Sequence, residues 1–329
     1  MRRQEKIRMI HKPHSNMQEL YILSCEKAGK GGGIYKYTLS DQGKLKYSGY
    51  LPCDRPMYAV YQNERLHILL RAPFEESENS GYFSCKSDFS NRTQMQNTLG
   101  KVACHIAADR DVYITNYLSG NIVKNCKQAV FHDGYGVNVS RQEMSHTHFA
   151  AISSDHKYVL CCDLGTDTIF IYDRNLNEIS KTKVPDGYGV RHLVFSEDKK
   201  FFYTSNELVP SVSVFEYANG NAKPIKTYKL PCRDKKSTAA AIRLAEGKSL
   251  YVSVRGENSI FAFDVKAQTL QLCERFSCNG DSPRDFNIVD DFIVCANENS
   301  DNIVVFQKYD LTVTDTICLK SPVCITTAN

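Results

Sequence analysis

The sequence predicts an all-β fold, a single seven-bladed β-propeller over residues 1–329. Three observations carry that reading: a recurring two-strand pattern, a nearly constant interval between its copies, and no long helical stripe. The clearest copies are YVLCCDLGTDTIFIYD (158–173), FFYTSNELVPSVSVFEY (201–217), LYVSVRGENSIFAFDV (250–265) and FIVCANENSDNIVVFQKY (292–309). Each has a strand-like apolar run, a turn rich in Asn, Asp, Gly or Pro, and a strand with alternating polarity. Weaker copies precede them: LYILSCEKAGKGGGIYKYTL (20–39), RLHILLRAPFEESENSGYFSC (65–85) and VYITNYLSGNIV (112–123). One residue marked near the end of each first run gives Cys25, Arg71, Tyr117, Asp163, Glu207, Arg255 and Asn297. Their intervals are 46, 46, 46, 44, 48 and 42. Seven units of about 45 residues nearly exhaust the chain, a regularity that two unrelated sandwiches would not produce.

The order of strands follows from a single unit. In VRHLVFSEDKKFFYTSNELVP an innermost strand, about 191–196, turns at EDKK into a second strand, about 201–207. The start of one antiparallel strand lies beside the end of its partner. Arg191 and Glu207 are therefore expected at one end of their blade, as are His148 with Asp163 and Arg284 with Asn297. Arg255 closes a second strand in the same way. His146 and His148 alternate, which in an extended segment puts both rings on one side. The terminal run SPVCITTAN is expected to share a blade with LYILSC, removing an open edge. Residues 1–18 read as an N-terminal extension or closing segment.

Bulk properties exclude several functions. A net charge of +4, scattered along the chain, does not make a nucleic-acid surface. No window approaches the apolar length of a membrane span. The basic start MRRQEKIRMIHKPHS lacks the apolar core of a secretion signal, so NRT at 91 and NVS at 138 read as chance. Thirteen cysteines, an odd number with no C-x-x-C spacing, suit a reducing compartment; the expected location is the cytoplasm. GKGGG (29–33) lacks phosphate-loop spacing, Ser153 and Ser154 lie in a hairpin turn, and RDKKS (233–237) is a solvated loop.

The mouth of the channel is where chemistry is expected, and each residue there has two readings. His148 is either a strand-end histidine satisfied by backbone or an acid–base group beside Arg191 and Glu207. His146, His148 and Asp163 could together hold a divalent ion, but spacing fixes no third ligand, and no metal or cofactor is expected. Asp163 reads equally as a turn residue. Glu207 is either functional or the counter-ion of Arg191. Arg255 and Arg284, and more weakly Arg71, are either solvated at the rim or paired with an anionic ligand.

The stretches SHTHFAAISSDHKYVLCCDLGTDTIFIYD, VPDGYGVRHLVFSEDKKFFYTSNELVPSVSVFEY, SLYVSVRGENSIFAFDV and SPRDFNIVDDFIVCANENSDNIVVF resemble the seven-bladed propeller lactonases. That family includes bacterial 6-phosphogluconolactonases and fungal carboxy-muconate cyclases. The resemblance runs from about residue 100 to 309 and is weaker in the first two blades. It implies a catalytic set of His148, Arg191, Glu207 and Arg255. His146, Arg71, Tyr117, Asp163, Arg284 and Asn297 are the expected substrate-binding positions around that set. Two departures stand out: Val190 replaces a proline common before the arginine of GVRH, and RLHILLRAPFEE diverges. The resemblance implies cofactor-free hydrolysis of a small anionic lactone, 6-phosphogluconolactone first. A lactonizing cyclase on the same site, or a binding propeller without chemistry, are the other readings.

Overall fold

Strands of four form seven antiparallel sheets in the computed structural model, which describes residues 17–246, 248–266 and 268–328. Most of the segment read as an N-terminal extension lies outside the described residues. The innermost strands are Pro56–Gln62 in blade 2, Ala103–Ala108 in blade 3 and Thr147–Ile152 in blade 4. They are Val190–Phe195 in blade 5, Thr238–Ala245 in blade 6 and Pro283–Val289 in blade 7. Blade 1 takes Pro322–Thr327 as its inner strand, paired antiparallel with Gln18–Ser24. Both ends of the described chain thus meet in one sheet, as expected of SPVCITTAN and LYILSC. Among the described residues the only helical element is a 3-10 turn at Ala28–Lys30, and no helix is long and apolar enough to cross a membrane.

Local chemistry supports these hairpins. Asn63 and Glu64 both take positive φ, 51° and 60°, so a two-residue turn joins Gln62 to Arg65 with the twist a hairpin needs. Period-two alternation then sends each strand's side chains to opposite neighbours. In Gln18–Ser24, Leu20 and Ile22 pack toward blade 7, while Tyr21 and Leu23 pack toward blade 2. Every junction between adjacent blades carries its own apolar cluster of this kind. The core is thus a ring of seven interfaces, and strands buried on both faces read as nearly continuous apolar runs.

One irregularity recurs and positions the site. Near the start of each inner strand the pairing register shifts by a bulge. The residues left between paired positions are Val323, Met57, Cys104, His148, Arg191, the Ala240–Ala241 pair and Arg284. A bulge leaves its extra residue out of the ladder and re-aims its side chain. Repeated around the ring, it turns one residue in each of six blades toward the channel.

Candidate active site

Six of those bulged residues, Met57, Cys104, His148, Arg191, Arg284 and Val323, line one cavity with Tyr58, His192 and Asp285. The cavity has room for roughly one water molecule. Its lining is divided: Val323, Met57 and Cys104 from blades 1–3 are apolar, whereas His148, Arg191 and Arg284 from blades 4, 5 and 7 are polar or charged. Because His148 is the bulged residue and His146 precedes the strand, simple alternation does not set their directions.

Glu207 is the hub of the charged side. Its amide donates to the Gly189 carbonyl at 2.7 Å, fixing it at the end of the second strand of blade 5. Its side chain is 4% exposed and meets three guanidinium groups. Arg191 Nε and Arg255 Nη2 both reach Oε2 at 3.0 Å, and Arg141 Nη2 donates to Oε1 at 2.6 Å. Burial alone would raise the Glu207 pKa; Arg255 and Arg191, with Arg141 further out, overcome it and hold the carboxyl well below the usual range. Burial and the Arg255 charge lower Arg191 to about 10. Three cations against one carboxylate leave a net positive charge facing the mouth.

His148 is different in kind. Its Nδ1 is buried with no hydrogen-bond partner. Its ring meets the edge of Tyr117 at 5.7 Å and His192 at 5.3 Å. Burial, then the Arg191 charge, push its pKa well below 6.5, so the imidazole is neutral at pH 7. His192 accepts from Arg191 Nη1 through Nε2 at 2.9 Å, and its Nδ1 has no partner. The His105 ring meets His192 edge-on at 5.8 Å, so three imidazoles stack edge to face in one buried row.

This stack makes the fold acid-sensitive. Burial holds His105, His148 and His192 below their ordinary value, with Arg191 and Arg243 adding to it. The unfolded chain takes up protons near pH 6.5 that the folded chain refuses. Stability from keeping the rings neutral is therefore complete above about pH 6.5 and is lost as pH falls further. The denaturant midpoint should drop between pH ~7 and ~5.5, with a slope of up to about 1.4 kcal/mol per pH unit for each histidine. A flat midpoint, or one that rises, would contradict neutral burial.

The other sequence-expected residues divide into two groups. Tyr117 and His146 reach the mouth: their rings stack at 4.4 Å, and His146 is held by the Tyr117 carbonyl through Nδ1 and by Glu143 through Nε2. Arg284 lines the cavity and donates to Glu298 at 3.1 Å. Arg71 is exposed on blade 2, outside the cavity lining. Asp163 and Asn297 are fully buried and do not reach the mouth. Asp163 accepts from Ser145 Oγ and the amides of His146 and Gly165, and its Oδ2 meets His132 Nδ1 at 2.8 Å. Asn297 donates to the Cys278 carbonyl at 3.0 Å.

The cause is a slip of one residue. The amides of Cys25, Arg71, Tyr117, Leu164, Glu207 and Glu298 each donate to the carbonyl of the residue just before an inner strand. The mouth row in blades 4 and 7 thus contains Leu164 and Glu298, one place beyond Asp163 and Asn297. Adjacent strand residues point to opposite sides, so the slip moves a carboxylate and an amide from the mouth into the blade. With Asp163 and His146 engaged in this way, the two do not join His148 as ligands. Among the described residues no cluster of three His, Cys, Asp or Glu is placed to hold a metal ion.

Sequence reasoning missed Arg141, His192 and the Arg243–Asp285 pair, whose Nη2 and Oδ1 are 2.6 Å apart. Arg141 carried a readable signal. Residues 132–146 are the longest connection between blades, and they open on the mouth.

A family model described as "Lactonase, 7-bladed beta-propeller" matches residues 19–326. An uncharacterized protein of Staphylococcus aureus (strain USA300) is 31% identical over 91% of this chain and 95% of its own length. A crystal structure from Lactobacillus plantarum superposes with a TM-score of 0.88 at 25% identity, covering 95% of this chain and 100% of that one. A candidate 6-phosphogluconolactonase from Bacteroides fragilis superposes with a TM-score of 0.86 at 23% identity, covering 97% and 100%. That last likeness is one of fold.

Proposed function

The chain belongs to the seven-bladed β-propeller lactonase family, and on that premise we propose that it hydrolyses an anionic sugar-acid lactone, 6-phosphogluconolactone first, without a cofactor. The observation that carries the reading is a neutral, unpartnered His148 lining one cavity with Arg191, whose buried partner Glu207 gathers three guanidinium groups. Thirteen unpaired cysteines favour the cytoplasm as its location.

The roles follow from the electrostatics. Both oxygens of Glu207 are engaged by arginines, so it orients them rather than taking a proton. His148 is neutral and free to accept a proton. A water in the cavity attacks the lactone carbonyl carbon, and its proton passes to His148. The oxygen of the tetrahedral intermediate gains charge toward Arg191, whose Nη2 has no partner among the described residues. Cleavage of the ring C–O bond then returns the proton from His148 to the leaving oxygen, giving the hydroxy acid.

Arg191→Lys separates geometry from charge, because lysine keeps the cation and loses the planar fork. If Arg191 stabilises the oxyanion, kcat should fall by ~10²-fold or more. A raised KM with unchanged kcat would make it a uniform anion grip. Wild-type values for both constants, with only thermal stability altered, would remove it from the chemistry. The apolar half of the cavity lining favours one second reading, a less hydroxylated carboxylated ring handled by a muconate-type cyclase.

A further inference from the structure

Three arginines share Glu207, but they are not equivalent. The side chain of Arg191 is 4% exposed, that of Arg255 19%, and that of Arg141 41%. Arg191 and Arg255 sit on strands of the blades, whereas Arg141 belongs to the connection 132–146 and reaches from it to blade 5. Its Nη2 serves both Glu207 and, at 3.4 Å, the Tyr117 hydroxyl. Its Nε and Nη1 have no partner among the described residues. An arginine presents five N–H donors, so most of this one's capacity is unspent.

The loop that carries Arg141 is built to hold it still. Gln142 is fully buried, donates to the Leu164 carbonyl at 2.8 Å and accepts the Asn138 amide at 3.1 Å. The amides of Arg141 and Gln142 both donate to the Asn138 carbonyl. A Cβ on Gly165 would come within 1.9 Å of the Met144 carbonyl oxygen, so the loop lies directly on blade 4 there. Glu207 then aims the guanidinium. An anchored backbone and an aimed cation lower the ordering cost of gripping a ligand.

We propose that Arg141 binds the anionic substituent of the substrate, a phosphate monoester or a second carboxylate remote from the lactone carbonyl. The connection 132–146 is then the element that selects charged lactones over neutral ones. The inference rests on the reading of this mouth as a lactone site, but binding tests it apart from turnover.

Calorimetric titration of wild type, Arg141→Gln and Arg141→Lys with gluconate, 6-phosphogluconate and glucarate is the test. Wild type should bind at least one of the doubly functionalised acids ~10-fold or more tightly than gluconate, and the better acid identifies the substituent. Arg141→Gln should abolish that preference, and Arg141→Lys should retain part of it. Gluconate should still bind all three, and Arg141→Gln should weaken it several-fold less than it weakens the preferred acid, a pattern that simple loss of fold would not give. An unchanged preference in Arg141→Gln, no preference in wild type, or no binding of any acid would each overturn the proposal. Hydrolysis of 6-phosphogluconolactone, measured on the same samples, reports on the lactonase reading independently.

Discussion

Replacing Glu207 by glutamine is expected to destabilise the fold by ~3–5 kcal/mol, the usual cost of leaving a buried charge without its partner. Glutamine fills the same space, so the loss comes from charge. Arg191 is buried and already lowered by burial and by Arg255; without Glu207 only the weaker pull of Asp285 offsets that repulsion. Arg255 and Arg141 can turn partly toward water, and Arg191 cannot. The loss should appear as a lower denaturant midpoint at constant m-value. Added phosphate or sulfate should recover part of it by pairing with the more exposed Arg255 and Arg141 at the mouth. A loss under ~1 kcal/mol would place the three arginines in solvent-screened pairs of little consequence.

Substituting His148 should have the opposite profile. His148→Asn is expected to lower kcat by ~10²–10⁴-fold, the range for losing a general base. Its stability should stay near wild type, since one buried, unpartnered polar group replaces another. The pH profile gives an independent check. With the His148 pKa depressed by burial and Arg191, the base stays deprotonated below the ordinary histidine range. The acidic limb of kcat/KM should therefore lie below pH 6.5. A limb at or above that value, or a variant of normal activity, would assign the proton to another group.

The blades were legible because their physics is local. Short apolar runs such as Leu20 to Leu23, and a turn chemistry that recurs near every 45 residues, specify strands and their spacing. Hairpin logic also put Arg191 beside Glu207, because both belong to one antiparallel pair. What escaped were features set by register and by contacts between blades. A bulge leaves no mark in a composition like THFAAI, yet it decides that His148 faces the cavity. A repeat counted by interval slips by one residue without penalty, which exchanged Asp163 for Leu164 and Asn297 for Glu298. Arg141 meets Glu207 across 66 residues of chain, through a loop with no periodicity to read. Only the unusual length of the connection 132–146 marked it.

Hydrolysis is separated from mere binding by the initial rate of acid release from 6-phosphogluconolactone, with EDTA present and spontaneous opening subtracted. Wild type and His148→Asn are compared at equal concentration. The wild-type rate should lie well above background, untouched by the chelator, and the variant should lose ~10²-fold or more. Wild-type protein indistinguishable from background on this lactone and on carboxylated lactones, or a variant as fast as wild type, would contradict it and leave a propeller whose arginine-lined mouth binds anions without transforming them.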